Sequence, residues 1–415
     1  MLLTRGTLGA IVLVVLVVPA GLQAQIVPVP AERPAEVPVR LGVLALAPAF
    51  RLMNVGWDSN IFNREGIVDP PGDFTAIARP EVQAWIRLGK ARVTGRSAYD
   101  FVYFRDYSSE RSVDWSNDVR LDLPLAHFAP YVFGRWVRGK QRFGYEIDQR
   151  TMRHDELGIV GVAIRQNGRT SFDISARRGR LTFDHPEMSE GRVSDFYDFT
   201  SRGLAFTLRQ RLTPLTAVTA TVDQREDRFD LQPDRDSDSL RVFVGAEFKP
   251  FALISGTAHA GWQRLRLVQG GASDFEGFVG TIELAYTLLG STRFSVQAER
   301  TPTYSAVQGQ HAYVLAGGRL SLLHQLDSGW DVGARLGRYH LTYGVFSPSG
   351  PGGQPGTAVD TNHEKVREYG GELAYRIGSK MRVAFDARWE HRRSTVYAVR
   401  AYDRTQAVMS WSYEF

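Results

Sequence analysis

From about residue 41 to the end of the chain, apolar side chains recur at every second position in segments of roughly ten to fourteen residues. Period two belongs to a β-strand with two unlike faces. Val113, Trp115, Asn117, Val119, Leu121, Leu123 and Leu125 alternate with Asp114, Ser116, Asp118, Arg120 and Asp122. Leu240, Val242, Val244, Ala246 and Phe248 alternate with Arg241, Gly245, Glu247 and Lys249. The strictest case sets Met381, Val383, Phe385, Ala387 and Trp389 against Arg382, Ala384, Asp386, Arg388 and Glu390. Beyond the N-terminal stretch no apolar run reaches the roughly eighteen residues that a spanning helix requires. A strand with lipid on one side and water on the other averages to modest hydropathy, compatible with 43% hydrophobic and 23% charged residues.

Connections alternate in length. Short, turn-like joints fall at 89–90, 126–130, 166–169, 213–214, 249–250, 290–291, 327–329 and 378–380. Longer polar segments lie between them, at 58–73, 144–153, 185–192, 231–237, 269–273, 305–310, 344–362 and 394–403. Short turns on one side of a membrane and long loops on the other predict an all-β, antiparallel transmembrane β-barrel of about 18 strands, or 16 if two segments fail to pair. A soluble sandwich or propeller would show shorter strands with turn signals about every 8 to 12 residues.

The first residues read as an address. Arg5, the apolar run from Leu8 to Val18, Pro19 and the tail Leu22-Gln23-Ala24 form a secretory signal peptide over residues 1–24. The alternative, an uncleaved anchor helix, has too short an apolar core. Residues 25–40 carry Pro28, Pro30, Pro34 and Pro38 and predict an extended periplasmic linker rather than a partner-docking motif. Residues 41–415 are then the barrel, with no plug domain before it. The absence of cysteine excludes a disulfide framework and a lipid-modified N-terminal Cys. A net charge of +5 from 50 basic and 45 acidic residues gives no basis for a nucleic-acid partner. The expected surroundings are outer-membrane lipid and lipopolysaccharide.

At the C-terminus Ala407, Met409, Trp411, Tyr413 and Phe415 occupy alternate positions, a lipid-facing stripe ending in interfacial aromatics. Met409, Trp411, Tyr413 and Phe415 resemble the signal that outer-membrane porins present to the barrel-assembly machinery. The segment Val55-Gly56-Trp57-Asp58-Ser59-Asn60-Ile61-Phe62 resembles the start of the putative beta-barrel porin 2 family, with Ser59 in place of that family's second acidic residue. Tyr99, Phe101, Tyr103 and Tyr107, leading into Trp115 and Asn117, are similar to its aromatic second hairpin. The resemblance implies an outer-membrane barrel and a role in envelope passage of exopolysaccharide. On the residues alone, the Asp, Ser and Asn of the motif cap a strand end in a turn.

Polar residues that alternate with the lipid stripe predict a pore lining: Arg209, Arg241, Glu247, Glu283, Glu299, Arg335, Glu372, Arg376, Arg382, Asp386, Arg388 and Glu390. In a barrel this wide the lumen is expected to hold water, with these residues biasing what passes or simply forming cross-strand ion pairs. No cofactor or metal site is read. Asp234, Asp236 and Asp238 have calcium-loop spacing without the required Gly and Glu. The nine histidines stand singly, with no metal-helix spacing and no Gly-x-Ser-x-Gly elbow. The sequence therefore predicts a non-enzymatic, porin-like channel for hydrophilic solute. The alternatives are an outer-membrane hydrolase using His185 or His340, and an adhesion barrel acting through loop 344–362.

Overall fold

The computed structural model describes residues 37–65, 70–142, 144–184, 187–188, 191–249, 253–269, 274–305, 311–343, 363–395 and 400–414. The alternating segments become eighteen long strands: β1 (Leu44–Asp58), β2 (Asp73–Leu88), β3 (Ala91–Phe104), β4 (Ser112–Asp122), β5 (Phe128–Gln141), β6 (Thr151–Arg165), β7 (Thr170–Phe183), β8 (Phe199–Arg211), β9 (Thr216–Phe229), β10 (Ser237–Phe248), β11 (Ile254–Leu267), β12 (Phe275–Leu288), β13 (Thr292–Tyr304), β14 (Ala312–Gln325), β15 (Trp330–Thr342), β16 (His363–Ile377), β17 (Met381–Ser394) and β18 (Tyr402–Glu414). Each pairs antiparallel with the next, and β18 pairs with β1, so the sheet closes into a barrel. Closure removes the free first and last edges that an open sheet would present.

All eight short joints lie at one end. That expected at 126–130 falls instead at 123–127, because β5 begins at Phe128 and takes in Pro130, whose carbonyl accepts the Leu123 amide at 2.9 Å. A ninth long connection, residues 105–111, joins β3 to β4 at the opposite end. It escapes a sequence reading because the alternating aromatics of β3 run on towards Val113 with no glycine or proline to break them. At the short-turn end β1 reaches below the end of β18, which stops at the Ala49–Glu414 pair. The edge this leaves on β1 is covered by a three-residue strand, Val39–Leu41, pairing with residues 44–46.

Side-chain alternation decides the faces. Leu204, Phe206, Val222, Val242, Val244, Leu320, Leu336 and Phe385 are exposed on the outer face, where hydrocarbon replaces water around them. Their neighbours carry charge and face inward.

The wall departs from a simple cylinder at its long-loop end. Pairing between β12 and β13 stops at Gly280–Arg300, although both strands continue. Above that point the ends of β13 and β14 turn into the lumen. Ala312 and Val314 have the parity of the lipid-facing Leu320 and Leu322, yet they pack against inward-facing Leu265, Leu267, Phe275 and Val279 of β11 and β12. Tyr304 of β13 likewise meets Phe199 and Phe229, with ring centroids 5.8 and 4.8 Å away, and its hydroxyl bonds Asp227 at 2.6 Å. The outer end is thus two layers thick over this sector.

Candidate functional site: the lumen and its outer mouth

The inner wall is a belt of arginine–carboxylate pairs spanning neighbouring strands. Glu81 on β2 receives Arg51 of β1 at 3.1 Å and Arg96 of β3 at 2.8 Å. Asp223 on β9 is held between Arg177 of β7 and Arg241 of β10. Asp331 on β15 takes Arg376 of β16 at 3.2 Å and Arg382 of β17 at 3.3 Å. Arg209 pairs with Glu247, Arg319 with Glu368, Arg335 with Asp386 and Arg382 with Glu372. Forked guanidinium geometry fixes the direction of each clasped carboxylate.

Among the described residues, the outer mouth is narrowed from within. In the connection between β5 and β6, residues 144–150 cross to the far side of the ring. Its Tyr145 lies 5.5 Å from Tyr339 of β15, and its Glu146 accepts from Ser305 beside β13 at 2.6 Å and from Tyr197 at 3.1 Å. Asp148 accepts from Asn63 at 3.0 Å and pairs with Arg392 of β17 at 3.4 Å. A five-residue helix, α1 (Val193–Tyr197), descends from the connection between β7 and β8 and buries Val193, Phe196 and Tyr197 beside Ile147, Leu181, Phe183, Phe199, Phe229 and Tyr304. On the opposite side Tyr313, Leu315, Leu341, Tyr343 and Val366 form a second cluster. The expectation of a lumen filled with water throughout therefore fails at this end. Two outer connections fold inward and supply the side chains that the wall itself lacks.

Burial shifts the charges of this plug. It lifts the Asp148 carboxyl above its usual value, against the opposing pull of Arg392, Asn63 and Arg142. It also draws the Arg142 guanidinium down to about 10, with the Arg404 charge acting the same way. The Tyr197 hydroxyl is pushed up by burial and by the Glu146 charge. Glu364 and Arg392 form the most deeply buried pair, both about 1% exposed or less, with Arg400 on the other Glu364 oxygen at 3.4 Å.

A family model described as putative beta-barrel porin 2 matches residues 35–414. The chain belongs to that family. It is a bacterial outer-membrane protein. No curated protein matches it. Among solved structures it is similar to OccK9 (OpdG) of Pseudomonas aeruginosa, at 14% identity and a TM-score of 0.48, covering 89% of this chain and 98% of that one. OpdO of the same organism gives 11% identity and 0.47 over 89% and 97%. The FrpB iron transporter of Neisseria meningitidis gives 10% and 0.45 over 84% of this chain, which spans only 62% of FrpB.

The porin family's motif acts here as the clasp of the barrel. Asp58 ends β1 and receives Arg404 at 2.9 Å and Gln406 at 2.9 Å from β18. Ser59 exchanges bonds with Thr405, its amide to the carbonyl at 2.9 Å and its Oγ from the amide at 2.8 Å. Asn60, fully buried, donates to the carbonyls of Arg64 and Asp403 at 2.8 and 3.1 Å. Gly56 is required because a Cβ there would stand 2.2 Å from the Ala407 carbonyl oxygen. The turn reading of the motif was thus right in kind, but the partners lie more than 340 residues away, beyond any local pattern.

All twelve residues read as pore-lining have inward parity. Arg209 with Glu247, Arg335 with Asp386, and Arg382 with Glu372 meet as pairs. Arg241 and Arg376 instead pair with Asp223 and Asp331, which the sequence reading missed. Glu283 stands across from Gln297 and Glu299 across from Thr281. Arg388 lies beside Gly370, and Glu390 accepts from Tyr402. On β18 Met409 is exposed and Trp411 stacks on Tyr413 at 6.3 Å, while Phe415 lies outside the described residues. So do His185 and loop 344–362. His340 accepts from Arg338 at 2.9 Å on the outer face, and the three spaced aspartates go separate ways, Asp234 to His311, Asp236 to the Phe229 amide and Asp238 to Arg228.

Proposed function

We propose that this protein is a passive, narrow channel for small hydrophilic solutes, with residues 144–150 and α1 restricting its outer mouth. The observation that carries this reading is the inner belt of arginine–carboxylate pairs, to which eight of the twelve residues proposed as the lining belong. Such a wall suits water and polar solute and offers no apolar route through the lumen. Exopolysaccharide passage, implied by the family resemblance, would need the inward connections to withdraw first. The C-terminal stripe is proposed as the signal read by the assembly machinery, and lipopolysaccharide as the outer-leaflet neighbour.

In planar bilayers the purified protein is expected to give small stepwise conductances. Replacing residues 144–150 with a short glycine linker should raise them roughly twofold or more, since it removes the span across the mouth. A sealed, silent bilayer for both proteins would overturn the proposal.

A further inference from the structure

On the lipid-facing side, directly below the split between β12 and β13, the wall is concave. A groove of about 680 Å³ runs across β8–β13, within the roughly 300–1,000 Å³ typical of small-molecule sites. Its floor is made of small outward-facing residues, Ala220, Ala246, Ala258, Ala260 and Ala298, flanked by Val244 and Phe278. Bulky apolar residues dominate elsewhere on this face, for instance Leu204, Leu320 and Leu336. Small side chains here leave a trough that bulk lipid packs poorly.

Arg300 lies at the upper edge of the groove, where the ladder ends. Its Nη1 donates to the Phe278 carbonyl at 2.6 Å, an oxygen on the stretch of β12 that no longer pairs with β13. The remaining guanidinium donors are left to other acceptors. Along β12, Gly280, the partner of Arg300, is four residues below Glu276, which pairs with Arg264 on the exposed rim. At about 3.4 Å per residue and with strand tilt, that sets Arg300 roughly 10 Å deeper than the rim. A permanent cation facing hydrocarbon at this depth calls for an anion.

We infer that this groove binds the alkyl chain of an anionic amphiphile, with Arg300 holding the anionic group where the wall splits. Charge complementarity selects an anionic single-chain amphiphile over a neutral one, and the apolar floor selects a hydrocarbon tail over a polar solute. The site opens on the lipid side, since thirteen of its eighteen lining residues have outward parity; the other five, Glu299 among them, belong to the inward row of the same strands.

The test uses the full-length protein in nanodiscs of zwitterionic lipid, with two photoreactive C16 probes: a diazirine-tagged fatty acid and the matching alcohol. Cross-linked residues are mapped by mass spectrometry. The fatty acid should label β11–β13 about tenfold over the rest of the outer face. The Ala260→Trp/Ala298→Trp variant, which fills the groove, should remove that excess. Arg300→Gln should reduce fatty-acid labelling about tenfold and leave the alcohol unaffected. Each variant is checked for folding by heat-modifiable gel mobility. Even labelling around the barrel, labelling that survives the filled groove, or equal labelling by acid and alcohol would each overturn the inference.

Discussion

At the scale of single residues, the plug is held by groups whose charge is costly to strand. Glu364 is fully buried against Arg392. Arg392→Met should destabilise the folded barrel by about 3 kcal/mol, because it strips the buried Glu364 carboxylate of its forked partner and leaves only Arg400, at 3.4 Å, to offset its charge. Adding Glu364→Leu should recover much of that loss, and denaturant titration of both variants checks it. Asp148 gives a pH dependence. Its carboxyl titrates higher in the docked connection than in a released one, where the ordinary value of 3.8 applies, so protons favour docking. The effect is absent well above the docked pKa, grows as the pH falls through it and is complete below 3.8. Conductance should therefore fall on acidification, and Asp148→Asn should flatten that profile. An unchanged profile would place the response elsewhere.

At the scale of elements, the strands were legible because each carries its own two-faced pattern, and the eight short joints, with one strand before them and one after, give the count of eighteen. What was hidden depends on register or on contact across the lumen. Asp223 and Asp331 look ordinary in sequence and become the focal carboxylates only once β9 and β15 are aligned with their neighbours. Val314 reads as lipid-facing by parity and is nevertheless buried, since parity says nothing of a wall that doubles over itself. Residues 144–153 read as a loop, and no local signal shows that Tyr145 and Glu146 reach the far wall. On β11, Gly256 has φ +117° and no room for a Cβ, which would stand 1.9 Å from the Glu283 carbonyl oxygen. Gly256→Ala should cost about 1–3 kcal/mol through backbone strain. Its heat-modifiable mobility should be lost at a lower temperature than that of the parent.

For the whole molecule, export and closure go together. Residues 1–36 lie outside the described set, and the proposal that 1–24 form a signal peptide predicts that protein recovered from outer membranes begins at Gln25. N-terminal sequencing decides it. The clasp at Asp58, Ser59 and Asn60 ties the start of the barrel to a strand that is translated more than 340 residues later. Until β18 pairs with β1, an assembling sheet has two bare edges, each a template for the wrong partner. A cell making this protein must therefore shelter an unfinished ribbon until its final strand comes within reach, and a chain truncated before Arg404 would reach the membrane with nothing to fasten to.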